Sequence, residues 1–303
     1  MKFALNLLFV LGVFSVFGQT SRLEIRKQLD TIVNREGFRM YEDTATLNAV
    51  GVYIENEFKK HTTKVYRQCF IIQNKEYFNV VGLVGDTTKP RIVVGAHYDV
   101  CESLPGADDN GTGVVGLLQA IKQLKGDTLG NYCFEFVAYT LEEPPFFGSQ
   151  YMGSYVHAES LHERNVEVFG MVSLEMIGYF STEKKSQDYP LRILSLFYGN
   201  KGDYITVVRK FKKGEFARKF SGKYKRSDRI RTKKFTGPRY LTGIDFSDHR
   251  NYWDFDYDAI MLTDTAFYRN KNYHKSSDTV DTIDFERMAL TIEALVITLR
   301  KLN

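Results

Sequence analysis

The chain has 303 residues, of which 43% are hydrophobic and 26% are charged, and its formal net charge is +4. This composition is typical of a globular protein with a substantial core, and six prolines and 23 glycines exclude a fibrous or low-complexity chain. The three cysteines exclude a disulfide framework, because an odd number permits at most one bridge, and the pairing cannot be deduced: Cys69, Cys101 and Cys133.

The N-terminus predicts a secretory signal peptide over residues 1–19. Lys2 precedes the apolar run Phe3–Phe17, and small and polar residues follow from Gly18. A positive start, a short apolar stretch and small residues at its exit are typical of such signals, and a membrane span needs a longer run. An uncleaved anchor or a buried N-terminal helix is the alternative. We therefore expect an exported protein, periplasmic or secreted, without stable membrane insertion.

Predicted helices and strands alternate along the rest of the chain. Apolar residues at helical spacing predict helices over residues 21–35, 44–60, 111–124, 149–158 and 285–302. Apolar runs bounded by turn residues predict strands over residues 65–72, 77–84, 92–97, 133–141, 166–177, 191–198 and 259–263. This alternation predicts an α/β fold with three α/β/α layers around a mostly parallel, mixed central sheet, in a single domain over residues 20–303.

Positive charge is concentrated in residues 199–241, which contain fifteen Lys or Arg and three Asp or Glu. We predict that this basic segment is an excursion from the domain and presents a solvated helix face and loops. Contact with an anionic surface or with acidic substrates is the alternative. Nucleic acid is not expected as a partner, because the chain has no recognisable binding motif.

Imidazole and carboxylate groups stand at the ends of five separate elements: His97, Asp109, Glu143, Glu175 and His274. In a sheet of this kind, functional side chains collect where the strands end. These groups suit zinc, and four or five ligands with open positions are typical of a catalytic zinc site. Taken singly, each residue also fits a plain interpretation, such as a packed histidine, a helix N-cap or a solvated strand end.

Further acids accompany this set. Asp99 stands two residues after His97, hence on the same side of an extended strand, where it could accept the second imidazole N–H. Glu142 and Glu143 are adjacent, so on a straight strand their side chains would point to opposite faces. Two prolines at 144–145 follow them, and a bend at this point would allow both acids to serve one site.

The motifs HYD, GADDNGTG, a Glu-Glu pair after an apolar strand, LEMIG and YH-SSDT occur in this order between residues 92 and 279. Together they resemble the di-zinc aminopeptidase family, peptidase family M28. The resemblance implies a metallo-aminopeptidase, a hydrolase that cleaves the N-terminal bond of a peptide substrate through a metal-activated water. It implies two zinc ions bridged by Asp109, with the remaining ligands His97, Glu143, Glu175 and His274.

The resemblance also implies roles for neighbouring residues. Glu142 would be the general base, and Asp99 would orient the histidine two residues before it. Tyr273 would donate a hydrogen bond to the oxyanion, with Tyr268 as the alternative. His249, in the segment FSDHRNY, would contact the substrate or support the site, unless it is a packed loop histidine.

Glu175 departs from the family pattern, which often has Asp at this position, and its longer side chain would hold the metal slightly differently. Two other functions stay open. One is a glutaminyl-peptide cyclase-like enzyme that uses a single zinc ion, which metal stoichiometry would distinguish. The other is a non-catalytic binding protein on a peptidase scaffold, which chelator-sensitive hydrolysis would exclude as the sole function. The oligomeric state stays open.

Overall fold

The central sheet belongs to a computed structural model that describes residues 21–126, 130–212 and 214–303, so the predicted signal peptide lies outside the described residues. Its strands are β1 (Lys64–Ile72), β2 (Lys75–Val84), β3 (Arg91–His97), β4 (Cys133–Tyr139), β5 (Val168–Glu175), β6 (Ile205–Lys210), β7 (Thr232–Gly237) and β8 (Ala259–Thr263). They form one mixed sheet in the order β1-β2-β4-β3-β5-β8-β6-β7. The predicted single-domain α/β fold is confirmed.

Helices cover both faces of this sheet. They are α1 (Arg22–Val33), α2 (Thr44–Lys59), α3 (Gly113–Leu124), α4 (Gly153–Glu163), α5 (Ser195–Tyr198), α6 (Glu215–Arg226), α7 (His249–Asp254) and α8 (Phe285–Leu302). Alternate side chains of β4 enter opposite layers. Phe134 and Phe136 pack in the core that contains α1, α2, α3, α6 and α8, whereas Val137 and Tyr139 pack with α4 and α7. These are the three predicted layers.

Strand direction brings several strand ends to one edge. Strands β4, β3, β5 and β8 are mutually parallel in that order, so all four end at the same edge of the sheet. Strand β6 is antiparallel to β8 and parallel to β7, so β6 and β7 begin at that edge. The loops that carry the predicted ligands therefore converge there. No helix in the described ranges is long and apolar enough to cross a membrane.

Two predicted elements differ from the structure. The helix predicted over residues 149–158 begins later, at Gly153, because the backbone N–H of Gly153 still donates to the carbonyl of Thr140 beyond β4, at 2.7 Å. Residues 191–198, predicted as a strand, form a 3₁₀ turn, Arg192–Leu194, followed by the single-turn helix α5. Four of their large apolar side chains are exposed to solvent, so this apolar run does not mark a strand of the core.

The basic segment 199–241 is part of the sheet, which corrects the prediction that it is an excursion. It forms β6, α6 and β7. Ile205 and Val207 of β6 and Phe216 and Phe220 of α6 are fully buried in the main core. Basic residues are interspersed with these apolar residues along the segment, and this masked the apolar pattern in the sequence.

Candidate metal centre and active site

Three predicted ligands converge where β3 and β5 end. His97 Nε2 lies 3.6 Å from Asp109 Oδ1 and 3.5 Å from Glu175 Oε2. The three side chains are buried, with relative exposures of 1% for His97, 5% for Asp109 and 6% for Glu175. Such an arrangement of imidazole and carboxylate is one that a divalent zinc ion can occupy.

The second oxygen of the same aspartate faces a second set of groups. Asp109 Oδ2 lies 3.2 Å from His274 Nε2, and Glu143 Oε2 also lies 3.2 Å from His274 Nε2. Candidate ligand atoms of His97, Asp109 and Glu143 all lie within 4.8 Å of one another. Asp109 therefore presents one oxygen to each histidine, which is the geometry of a carboxylate shared between two neighbouring positions.

Asp99 organises the turn that follows β4. Its Oδ1 accepts a hydrogen bond from the backbone N–H of Glu142 at 3.1 Å, and its Oδ2 accepts from that of Glu143 at 3.0 Å. Asp99 Oδ1 also lies 3.5 Å from His97 Nδ1. Glu142 Oε2 lies 3.8 Å from His97 Nε2, so both adjacent acids reach the same site, as the bend after the strand predicted.

Hydrogen bonds tie the loop of Asp109 to its surroundings. The carboxylate of Asp278 accepts from the backbone N–H groups of Asp108 and Asp109, at 3.1 Å each. The side chain of Asn110 donates to the carbonyl of Leu174 at 2.8 Å. The loop is thereby joined both to the segment after His274 and to the end of β5, and the orientation of Asp109 follows from these bonds.

Arg39 supports this loop from a distant part of the sequence, and sequence reasoning did not find it. Its guanidinium donates to the carbonyl of Pro105 at 2.7 Å and to that of Gly106 at 2.5 Å, and the side chain is almost fully buried. Gly106 has φ +58°, and a Cβ there would lie 2.2 Å from the carbonyl oxygen of Asp109. The turn before Asp109 therefore requires glycine.

Ser247 and Asp248, which sequence reasoning also missed, lie behind Glu175. The hydroxyl of Ser247 donates to Glu175 Oε2 at 2.8 Å, which fixes this longer side chain toward His97. Burial raises the pKa of Asp248 to about 7, although the charge of His97 opposes the shift. The segment FSDHRNY contains both residues, although its resemblance to the family points to His249.

His249, the first residue of α7, is a packed histidine. Its Nε2 lies 2.7 Å from the carbonyl oxygen of Ile244, and its ring packs edge-on against Trp253 with the ring centroids 4.5 Å apart. Burial lowers the pKa of His249 to about 3. Of the two interpretations left open by the sequence, these contacts fit structural packing.

Tyr273 is nearer to the candidate ligands than Tyr268. The ring of Tyr273 stacks on that of His274, with centroids 3.9 Å apart, and it lines a cavity of about 630 Å³ together with Glu142, Glu143 and Glu175. The hydroxyl of Tyr268 instead donates to the carbonyl of Thr242 at 3.2 Å. Of these two residues, Tyr273 is the tyrosine that borders this cavity.

A second, aromatic pocket of about 680 Å³ adjoins this cavity. The two share Glu175, Ala266 and the rings of Phe246 and Phe267. The walls of the aromatic pocket come mainly from the region of β6, β7 and β8, and its ring-bearing residues are Tyr189, Tyr198, Tyr204, Phe235, Phe246, Phe267 and Tyr268. Several of the tyrosine hydroxyls bond within the protein, so the pocket offers largely apolar ring surface.

The electrostatics of the centre fit a cation. Burial, then the charge of Asp109, raises the pKa of Glu143 to about 7, and burial raises the pKa of Glu142 well above its ordinary value. Burial would lower the pKa of His274, but the Asp109 and Glu143 carboxylates raise it to about 10. Within the described residues, His274 Nε2 is buried and makes no well-directed hydrogen bond. Crowded buried acids beside an unsatisfied imidazole nitrogen suit zinc.

All three cysteines are free thiols, and one of them lies at the site. The sulfur of Cys101 and candidate ligand atoms of Glu143 and His274 lie within 4.8 Å of one another. Burial, followed by the charge of Glu143, raises the pKa of Cys101 to about 12. Cys69 is exposed and Cys133 is buried in β4.

Comparison with known proteins identifies related sequences. A sequence model described as Peptidase family M28 matches residues 79–298. The uncharacterized protein YfbL of Escherichia coli (strain K12) is 40% identical over 266 residues, which cover 85% of this chain and 81% of that protein. Leucine aminopeptidase 1 of Coccidioides posadasii (strain C735) is 26% identical over 226 residues, 70% of this chain. The chain spans about half, 52%, of the length of that aminopeptidase.

Solved structures share the fold. The LapA aminopeptidase of Legionella pneumophila has a TM-score of 0.74 at 19% sequence identity, with 94% of this chain and 73% of that chain covered. The glutaminyl cyclase of Porphyromonas gingivalis has a TM-score of 0.70 at 16% identity, with 94% of this chain and 100% of that chain covered. At these identities the likeness is one of fold.

Proposed function

The chain belongs to peptidase family M28, and from this membership we propose that it is a zinc-dependent exopeptidase, an aminopeptidase that hydrolyses the N-terminal bond of a peptide. The observation that carries the proposal is the placement of Asp109. One of its oxygens faces His97 and the other faces His274. A carboxylate shared in this way suits a pair of cations, and two-cation sites serve the hydrolysis of amide bonds.

We assign the ligands to two zinc positions. His97 and Glu175 belong to the first, Glu143 and His274 to the second, and Asp109 is shared. When bound, the ions would supply an activated water and polarise the scissile carbonyl. Asp99 accepts hydrogen bonds from the backbone of the turn that carries Glu143, and Ser247 donates one to the carboxylate of Glu175. These bonds position both side chains without requiring an ion.

The general base is Glu142. Its carboxylate takes a proton from the attacking water and later delivers it to the leaving amine, a contribution of roughly 10²–10⁴-fold. Tyr273 donates to the developing oxyanion. Burial raises the pKa of this phenol, so it keeps its proton.

The aromatic pocket beside the cavity receives the side chain of the N-terminal residue. It opens next to Glu175, shares Phe246 and Phe267 with the cavity, and is lined mainly by apolar ring surface. Burial of an apolar side chain against such walls contributes about 25 cal/mol per Å². We therefore expect substrates with large apolar N-terminal residues to be preferred over those with charged ones.

Metal analysis and a panel of aminoacyl-p-nitroanilides test the proposal. We expect two zinc ions per chain and hydrolysis that a chelator abolishes and zinc restores. N-acetylated versions of the same substrates are the control and should not be cleaved, because an aminopeptidase requires a free N-terminus. Absence of turnover over the whole panel by the zinc-loaded protein would contradict the proposal.

Glutaminyl cyclisation is the second candidate, since the fold likeness extends over the whole glutaminyl cyclase chain of Porphyromonas gingivalis. A peptide with an N-terminal glutamine separates the two reactions by mass spectrometry. A cyclase releases ammonia and leaves the peptide at its original length, whereas an aminopeptidase removes the first residue. One zinc ion per chain together with release of ammonia would favour the cyclase. A non-catalytic binding role requires that neither reaction occurs.

We also propose that the protein is exported, with residues 1–19 removed and residues 20–303 forming the catalytic domain. The support is the short apolar run after Lys2. N-terminal sequencing of protein recovered from the periplasm or the medium tests this. A mature chain that begins near position 20 is expected, and an intact N-terminus in a membrane fraction would instead indicate an uncleaved anchor.

A further inference from the structure

Four large apolar side chains stand out from the surface within seven residues. Leu191 is 54% exposed, Ile193 61%, Leu196 80% and Phe197 78%. We refer to residues 191–197 as the apolar projection. Scattered exposed hydrophobic residues are ordinary, but several together on a protein surface indicate an interaction site.

The apolar projection is held by its two ends. The hydroxyl of Tyr189, just before it, donates to the carbonyl of Gly199 at 2.8 Å, which closes the segment into a loop. The hydroxyl of Tyr198, just after it, donates to the carbonyl of Lys234 on β7 at 3.2 Å. The ring of Tyr198 also packs on Phe235, with centroids 5.8 Å apart. The exposure of the four side chains is therefore part of a supported structure.

The projecting side chains are not walls of the aromatic pocket. Tyr189, Pro190 and Tyr198 line that pocket, whereas the residues between 191 and 197 do not. The segment thus turns its ends toward the pocket and its middle toward solvent. A small substrate held in the pocket would not cover the middle of the segment, so its partner must be an extended surface.

Positive charge surrounds the apolar projection. Arg192 lies within the apolar projection and Lys201 lies shortly after it in the sequence, and both residues are exposed. Lys233, which is partly buried, has its Nζ 3.5 Å from the ring centroid of Tyr204 and 5.9 Å from that of Tyr198. Lys233 belongs to the basic segment 199–241, which follows the projection directly. A partner for this surface has to be apolar at its centre and negatively charged around it.

We propose that the apolar projection docks on an anionic lipid surface. Leucine, isoleucine and phenylalanine side chains enter the boundary between headgroups and acyl chains, while neighbouring Lys and Arg side chains contact anionic headgroups. The protein then lies on the membrane and does not span it. The mouth of the aromatic pocket, bordered by Tyr189 and Tyr198, comes to face the membrane. The inference is independent of the reaction that the site performs.

Vesicle sedimentation tests the docking. Full-length protein is mixed with vesicles of phosphatidylcholine alone or with one third phosphatidylglycerol. We expect binding to the anionic vesicles only, weakened as ionic strength rises because salt screens the headgroup contacts. The double variant Leu196→Ser/Phe197→Ser should bind the anionic vesicles at least about tenfold more weakly than the wild type, because it loses its apolar contact.

A matched variant controls for loss of exposed apolar residues in general. Leu23→Ser/Ile71→Ser removes side chains of similar exposure, 80% and 72%, from α1 and from β1, the strand at the opposite edge of the sheet from β7. It should bind like the wild type. Because both double variants keep the N-terminal run, any membrane affinity of that run is the same in the two.

A local probe separates docking from loss of folding. A polarity-sensitive dye on Cys69→Ser/Ser195→Cys should shift to shorter wavelength with anionic vesicles, whereas the same dye on wild-type Cys69, on β1, should not. No binding by the wild type, or equal binding by Leu196→Ser/Phe197→Ser, overturns the proposal. So does a dimer in solution that this variant abolishes without a change in vesicle binding, because the surface would then bind a second copy.

Discussion

At the scale of single residues, the adjacent acids Glu142 and Glu143 have different expected roles, and substitution should separate them. Glu142→Gln keeps the shape of the side chain but removes the base, so we expect kcat to fall roughly 10²–10⁴-fold while zinc content stays at the wild-type level. Activity on an aminoacyl-p-nitroanilide and metal analysis of the same sample measure both quantities.

Glu143→Gln is the companion variant. It removes a charged ligand, so we expect zinc content to fall along with activity. Equal zinc loss in both variants would contradict the division of roles, as would undiminished turnover by Glu142→Gln. The backbone N–H groups of both residues donate to the carboxylate of Asp99, so the two variants are compared in the same local surroundings.

Arg39 should affect zinc affinity without touching a ligand. Its hydrogen bonds to the carbonyls of Pro105 and Gly106 set the turn that leads to Asp109. Arg39→Met should therefore weaken zinc binding roughly 10–100-fold, the range measured for partners that orient metal ligands. Competition with a chelator of known affinity measures the change.

The exposed Arg22, on α1, provides the matched control for this prediction. Arg22→Met should leave zinc affinity unchanged. Wild-type affinity in Arg39→Met would show that the turn keeps its form without the guanidinium, and equal weakening in both variants would point to a general loss of stability.

The sequence predicted the candidate ligands and the supporting Asp99, but not Arg39 or Ser247. His97, Glu143 and Glu175 stand at strand ends, where a polar group after an apolar run is visible locally. Arg39 precedes α2 in a stretch without a recognisable motif, and Ser247 precedes α7 in the segment FSDHRNY, where the resemblance points to His249. Their relation to the site arises from packing between distant segments, which a local pattern does not contain.

At the scale of elements, apolar periodicity predicted those that are strongly buried. Strands β3, β4, β5 and β8 and helices α3 and α8 lie close to their predicted bounds. Strands β6 and β7 were missed because basic residues interrupt their apolar pattern, at 209–210 in β6 and 233–234 in β7. Residues 191–198 were predicted as a strand because a run of apolar residues in a sequence does not show whether their side chains are buried or exposed.

Helix α8 begins with a cap whose contribution can be measured. Asp284 Oδ1 accepts a hydrogen bond from the backbone N–H of Arg287 at 2.9 Å. Asp284→Ala should lower the free energy of unfolding by about 1 kcal/mol, the usual contribution of an N-cap. Urea denaturation of the metal-free protein measures it.

A substitution elsewhere in the same helix serves as the control for the cap. Glu293→Ala, in the middle of α8, should change the free energy of unfolding much less, because this residue has no capping role. An effect of Asp284→Ala no larger than that of Glu293→Ala would show that the cap does not contribute. Hydrolysis should be unchanged in both variants.

At the scale of the whole molecule, the buried acids predict how stability depends on pH. Burial raises the pKa of Glu143 and of Asp278 to about 7, from 4.5 and 3.8. The folded protein therefore holds these protons at pH values where the unfolded chain has released them. Stability of the metal-free protein should thus fall as pH rises from about 4.5 to about 7, and the raised pKa of His274 extends the fall above pH 7.

Zinc should reverse this trend, because it binds the ionised carboxylates. The increase in Tm on adding zinc should grow between pH 5 and pH 7.5, and differential scanning fluorimetry with and without zinc at a series of pH values measures it. An increase that stays constant or shrinks over this range would contradict the assignment of these acids to a cation site. A ligand that binds only the folded state stabilises it by mass action.

The reversal of strand direction between β8 and β6 divides the sheet into two parts, and these contribute to different parts of the proposed site. The proposed hydrolytic groups follow β3, β4, β5 and β8, whereas much of the aromatic pocket is built over β6 and β7 and the neighbouring part of β8. In the proposed function, most walls of the pocket can therefore be substituted without changing the proposed hydrolytic groups. We expect relatives on this scaffold to differ more readily in the N-terminal residue they accept than in the reaction they perform.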